Sequence, residues 1–252
     1  MDDGYRRRGI VFRPVSILYF LVMLSWAIFT YSVMYIFFES AFVTALGLST
    51  TTAMVILIAS IIGSHINIPV REVTSRRPII TLKRISFFGV EWLMPELSTR
   101  ERRTVIAVNV GGAVVPVIVS AYLLFFLLPM QDQYPLISYA KTLAALIVVI
   151  LVMNRVARPV PGLGIATPTL LPPLTTAVVS LALHELIALS NPFIISYVSG
   201  ILGTLIGADI LNLDKIPELG APMVSIGGAG TFDGIYITGI VSVFLVLATV
   251  AM

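Results

Sequence analysis

The sequence predicts an all-α integral membrane protein. We expect a bundle of about seven transmembrane helices, with the N-terminus in the cytoplasm and the C-terminus outside. Three observations carry that reading. The 252-residue chain is 58% hydrophobic and only 12% charged. Apolar runs recur along its whole length, each near the roughly 20 residues that a helix needs to cross a hydrocarbon core of about 30 Å. Finally, of its 16 Lys and Arg residues, all but Lys141 fall on one side once these runs are drawn as spans.

The spans follow in order. Span 1 is Val15–Phe38 and span 2 is Leu48–Ile68. The start, MDDGYRRRGIVFRP, could pass for the basic region of a signal peptide. The run after it lacks a small-residue cleavage site, so it reads as a retained anchor. A basic insert covers Pro69–Arg103. Span 3 is Thr104–Leu128, span 4 Leu136–Asn154, span 5 Leu174–Leu189, span 6 Pro192–Leu211 and span 7 Thr231–Met252. The expected loops on the outer side are short: Glu39–Gly47, Pro129–Pro135 and Ser190–Asn191. Domain organisation is therefore simple. Residues 1–14 form a basic cytoplasmic N-terminus, and 15–252 form one membrane domain with a cytoplasmic insert at 69–103.

The positive charges set the orientation. Arg6, Arg7, Arg8 and Arg13 precede span 1. Eight basic residues sit in the insert. Arg155 and Arg158 follow span 4, and Lys215 follows span 6. Positive charge concentrates in cytoplasmic loops, so this side is cytoplasmic and an odd number of spans is required. The expected location is the cell membrane, and the expected partners are the lipid bilayer and a small solute, proton or cation. Oligomerisation is open. The net charge of +3 is topological, and no nucleic-acid partner is expected. Within the insert, PIITLKRISFFGVEW partly alternates apolar and polar residues. That pattern fits a β-hairpin, a basic amphipathic stretch in the headgroups, or a charged connector.

Composition also excludes chemistry. With no cysteine there is no disulfide, thiolate metal site or cysteine nucleophile. The chain shows no phosphate loop, no metal-ligand cluster and no Ser-His-Asp spacing. No cofactor is expected, and no enzymatic motif is clear.

Ionisable groups at membrane depth are expensive and so point to function. Asp209 lies two residues from the end of span 6, and Asp233 lies at the start of span 7. These spans are antiparallel and closely connected, so the two acids can face each other. A close pair would titrate jointly, which suits a proton-coupled carrier, a cation site or acid–base hydrolysis. Asn212, three residues beyond Asp209, is expected on the same helical face. His65 and Asn67 end span 2, Asn109 sits inside span 3, and Asn154 closes span 4. All are expected at similar depth. Each has a plainer reading. Asp209 would be solvated among headgroups, Asp233 would be an early-turn carboxylate facing the helix dipole, His65 would be interfacial, and Asn109 and Asn154 would be interhelical hydrogen-bond glue. His184 and Glu185, near the outer end of span 5, read as an interfacial, solvated pair.

Two stretches broken by Pro and Gly, 159–173 and 216–230, precede outward-going helices. PGLG and PELG repeat P-x-L-G within them. Irregular backbone at membrane depth needs protein cover or a water-filled cavity, and transporters use such re-entrant breaks to aim backbone groups at their cargo. GGAG at Gly227–Gly230 is expected to present free N–H groups beside Asp233, with Gly228, Gly230 and Thr231 contributing to the site. Gly203 and Gly207 form GxxxG, read as close packing within the bundle. Gly111-Gly112 with Pro116 is expected to thin or kink span 3.

RPVPGLGI, PTLLPPL, GTLIGADILNL and GGAGTFDGIYITGI resemble an uncharacterised family of archaeal and bacterial multi-pass membrane proteins, known as a domain of unknown function. The resemblance covers most of the chain and implies membrane location without chemistry. A narrower likeness is to the GxGD-type intramembrane aspartyl proteases, which carry one Asp on each of two adjacent helices and a nearby Pro-Ala-Leu. It would make Asp209 and Asp233 a catalytic pair. Gly230 stands three residues before Asp233, but Phe232 replaces the adjacent glycine, and Ala208 precedes Asp209 where the family has Tyr. Pro168-Thr169-Leu170 lies before both acids instead of after them. The functions carried forward are transport or sensing through the two acids, intramembrane proteolysis by the same pair, and a purely structural membrane subunit.

Overall fold

The structure, a computed structural model, describes residues 14–87, 90–160, 164–186, 190–219 and 221–251, and of these all side chains but those of 14–16, 19, 27, 34, 75–83, 85–102 and 218. The arginines before residue 14, the first three residues of PGLG and Gly220 of PELG lie outside these. Seven helices occur among the described residues. They are α1 (Pro14–Glu39), α2 (Thr50–Gly63), α3 (Val110–Gln131), α4 (Pro135–Val156), α5 (Leu171–His184), α6 (Pro192–Lys215) and α7 (Gly234–Val250). Phe20–Ala45, α3, α4 and α6 are long and apolar enough to cross a membrane. The other three are apolar but shorter; fourteen-residue α2 and α5 rise about 21 Å. These helices mark a membrane protein.

A sheet joins the helices, so the all-α expectation covers only the bundle. β1 (Asn67–Phe87) and β2 (Val90–Asn109) form one antiparallel hairpin, from Asn67 opposite Asn109 to Phe87 opposite Val90. Each strand is about 65 Å long at roughly 3.3 Å per residue. Of the three readings of the insert, the hairpin is the one adopted. Its base takes a third strand. β5 (Met223–Ile226) runs parallel to β2, pairing Val105–Val108 with Met223–Ile226. Thr104 Oγ1 donates to the Ala221 carbonyl at 2.7 Å beside this junction.

The sheet corrects two span boundaries. Thr104–Asn109 was expected to open span 3, but it is strand paired with β1, its Val105–Val108 also pairing with β5, and the helix starts at Val110. Span 2 was expected to reach Ile68. It stops at Gly63, because Asn67 and Ile68 are already in the hairpin. Glu39–Gly47 was expected as a loop. It is helical to Ala45, with a π turn at Ser40–Ala45 whose Phe42 is fully buried and meets Tyr197 edge-on at 5.4 Å.

Glycines set the helix spacing. A Cβ at Gly207 would lie 2.6 Å from the Ile150 carbonyl oxygen, and one at Gly203 would strike Val149. The GxxxG pair therefore docks α6 on α4 within the chain. Gly111 and Gly112 make room at the start of α3. They lie in its opening π turn, Val110–Val114, where a side chain would collide with the end of α2 and with the Gly227–Gly230 turn. α1 is different. Over its first turns Leu18, Phe20, Val22 and Trp26 are all exposed, as a helix bathed in lipid allows.

Candidate functional site

At the end of the bundle that carries the sheet lies a cavity of about 510 Å³. Both broken stretches wall it. The first contributes β4 (Gly164–Ala166), which pairs with β3 (Arg158–Val160), then Thr167, Thr169 and the start of α5 at Pro172. The second contributes Met223–Ser225 of β5 and Gly227–Ala229. The remaining wall is α6 at Thr204, Ala208 and Asp209, and the start of α7. Irregular backbone thus borders open space, the condition under which it is tolerated at depth.

Asp209 and Asp233 both line this cavity. Their bonding differs. Asp233 caps α7: Oδ1 accepts the Ile235 N–H at 3.0 Å and Oδ2 accepts the Ala229 N–H at 3.3 Å. This is the expected early-turn carboxylate at a helix N-terminus. The Asp209 carboxylate makes no hydrogen bond to any described residue, and the residue is half-buried. It closes the π turn Leu205–Asp209 of α6. In regular α-geometry, residues five apart diverge by about 140°. The wider π turn narrows that angle, so Thr204 and Asp209 meet the same cavity.

The other expected site residues are sorted elsewhere. Asn212 was expected to share a face with Asp209. It has φ −118° and ψ 15°, which breaks the helix locally. Its amide turns back to donate to the Gly207 and Ala208 carbonyls at 3.1 and 2.8 Å, and across to Asn154 Oδ1 at 3.3 Å. Lys215 Nζ donates to Asn212 Oδ1. Asn154 and Asn212 therefore pin α4 to α6 behind the cavity.

Asn109 and Asn67 form a second cluster. Asn109 is the N-cap of α3, accepting the Gly112 N–H at 2.8 Å. Its Nδ2 donates to the Ser64 carbonyl at 2.8 Å and to Asn67 Oδ1 at 3.1 Å. Ser225 Oγ reaches the same Asn67 oxygen at 2.6 Å. This joint ties α2, the hairpin base, α3 and β5. His65 stands apart, exposed, with Nδ1 3.1 Å from the Ile61 carbonyl. It lines a second, mainly apolar cavity of about 600 Å³ between α1, α2 and the start of α7.

The GGAG turn also differs from expectation. Gly228 donates to Ser225, Gly230 to Gly227, and Phe232 to Ala229, while Thr231 donates to Ser64 Oγ at 3.1 Å. These N–H groups are spent within the fold, and only Ala229 donates to Asp233. Gly228 lines the cavity; Gly230, at φ +65°, is needed because a side chain there would strike Ser64.

Sequence reasoning passed over Thr204 and Ser64. Thr204 is 2% exposed and its hydroxyl has no partner among the described residues. Ser64 is the hinge that receives Thr231. A π turn leaves no mark in the apolar pattern, and an isolated Ser at a helix end is too common to stand out. At the far end of the bundle, Lys141 is buried and donates to the His184 carbonyl at 3.0 Å and Ser190 Oγ at 3.2 Å. His184, expected to be solvated, bonds through Nδ1 to the Ser190 carbonyl.

Fold and site together define a helical membrane protein with a cavity, bordered by two acids, where its helices break. The chain belongs to the family described as Protein of unknown function (DUF1614), whose model matches residues 61–245. No curated protein and no solved structure matches the chain.

Proposed function

We propose that this is a multi-pass protein of the cell membrane that transports or senses a small solute or cation. Its N-terminus is cytoplasmic, its C-terminus external, and the cavity faces the cytoplasm. Asp209 is the ion- or proton-binding acid. Asp233 keeps the start of α7 in place and adds negative potential. The observation that carries the reading is the asymmetry of the pair. Two acids line one cavity, yet only Asp233 has its oxygens engaged, leaving the Asp209 carboxylate available to a ligand.

Binding of radiolabelled sodium, rubidium and calcium to the purified chain tests this. The wild type should retain one of these ions. Asp209→Asn keeps the shape and removes the charge, so it should abolish retention while the protein stays folded. Unchanged binding in Asp209→Asn would refute the reading. If instead the chain cleaves a transmembrane peptide, and Asp209→Asn and Asp233→Asn each stop it, the pair is proteolytic, since both acids would be needed to activate one water.

A further inference from the structure

The second cavity, of about 600 Å³, takes its form from how α1 meets the bundle. α1 is fastened towards its end. Phe38 is buried and stacks on Phe42 at 4.3 Å, and Phe37 meets Phe244 at 4.4 Å. Nearer its start, the consecutive residues Leu21, Val22, Met23 and Leu24 are all exposed. At about 100° per residue these four point to every side of the helix, so among the described residues nothing packs on that turn. Between the two regions α1 borders the cavity with Trp26, Thr30 and Tyr35. The facing wall is α2 from Leu57 through Ile61 to His65, with Thr231 and the start of α7 behind.

Its size, polarity and surroundings each narrow the occupant. From Trp26 to Tyr35, and from Leu57 to His65, the helices rise about 12–14 Å. That is close to one leaflet of a hydrocarbon core about 30 Å thick. The volume lies within the roughly 300–1,000 Å³ of ligand cavities. The walls are mainly apolar, and on α2 the polar groups come last, at Ser64 and His65, beside Thr231. His65 Nδ1 donates to the Ile61 carbonyl, which can only accept, so Nε2 is left for another group. Trp26 is 66% exposed and belongs both to the lipid-bathed face of α1 and to the cavity wall. The cavity is therefore continuous with the surface that lipid covers. Water would find too few polar partners in it, and an empty space would forfeit the packing contacts of its walls. A hydrocarbon chain from the bilayer supplies those contacts.

We propose that this cavity is a lipid site, in which one apolar chain of a bilayer lipid lies between α1 and the α2/α7 pair. The chain runs from His65 towards Tyr35 and Leu57, and the headgroup end sits at His65 and Thr231. The site gives α1 a partner over the stretch where it stands off the bundle. It also gives a role to His65, which the Asp209 cavity does not use. The proposal is independent of the reading of Asp209.

Native mass spectrometry tests this on the full chain, reconstituted in dioleoylphosphatidylcholine vesicles, extracted into detergent and washed. The wild type should keep one lipid per chain. Thr30→Phe and Ile61→Trp fill the cavity from opposite walls, and each should lose the lipid. Two walls are used so that one misfolded variant does not decide the outcome. Val22→Trp adds bulk to an exposed turn of α1 outside the cavity and should keep the lipid. Adding lipid back should raise the Tm of the wild type and leave the filled variants unchanged, because only a chain that binds it is stabilised. His65→Ala should release lipid faster during washing; release at the wild-type rate would overturn the headgroup placement. A wild type that keeps no lipid, or folded filled variants that keep as much as the wild type, would overturn the site. Equal loss in Val22→Trp would also overturn it, since the lipid would then be held by the general lipid-facing surface.

Discussion

Replacing Asn109 tests whether it is a joint or a ligand. Its side chain is fully buried and makes three hydrogen bonds, to Gly112, Ser64 and Asn67. Loss of an Asn N-cap costs about 1 kcal/mol. Each of the two amide bonds adds about 1 kcal/mol, the usual net worth of such a hydrogen bond. Asn109→Ala should therefore destabilise by about 3 kcal/mol. For a chain of this size that lowers Tm by about 6–12 °C. Asn109→Ser can still cap α3 but cannot reach Ser64 and Asn67 together, so it should fall between Ala and the wild type, near a 2 kcal/mol loss. Thermal unfolding in detergent, followed by Trp26 and Trp92 fluorescence, provides the measurement. The joint is refuted if Ala costs less than about 1 kcal/mol. It is also refuted if Ser is no better than Ala. If Ser restores stability but ion binding is lost, the residue is a ligand after all.

Three further expectations follow from the packing and the charges. Gly207→Val should destabilise by about 2 kcal/mol or more through overpacking against Ile150 and Met153, read as a fall in Tm; an unchanged Tm would mean that α6 and α4 can separate freely. Tyr236→Phe removes the 2.8 Å bond between Tyr236 Oη and Ser60 Oγ, both buried, and should cost about 1 kcal/mol in the same assay; stabilisation would mean that the pair is poorly satisfied. For topology, a reporter active only in the cytoplasm and fused after Met252 should give no signal, and strong signal there would require an even number of spans.

Helix number was legible because each of the seven apolar runs holds one of the seven helices, and the apolar pattern marks such runs directly. Helix limits were not, where tertiary pairing overrides composition. Val105–Val108 is as apolar as the helix that follows, and the neighbouring strands β1 and β5 hold it extended. The hairpin was visible as one option in the alternation of PIITLKRISFFGVEW, since period-two patterning arises from a strand's two faces. Asp209 and Asp233 stood out because ionisable groups are rare in apolar sequence. Their separation from Asn212 could not be read, because it depends on one non-helical residue after a π turn.

The fold places its irregularities together, and this coincidence argues for a site more strongly than any single residue does. The π turn of α6, the short strands before α5, the β5 segment and the Asp-capped start of α7 all border one cavity. Scattered breaks would each need separate cover for their backbone groups; grouped around one space, they can share water or a ligand. At the opposite end of the bundle the helix starts are instead closed by direct bonds. Asn191 caps α6 through the Phe193 and Ile194 N–H groups, and its own N–H donates to Asp132. Lys141 fills the remaining gap with His184 and Ser190. One end is thus satisfied by the chain itself, and the other leaves a carboxylate beside open space. A bundle built only to be stable would satisfy both ends alike. On the proposed reading, that asymmetry makes the Asp209 end the one that receives something from outside the fold.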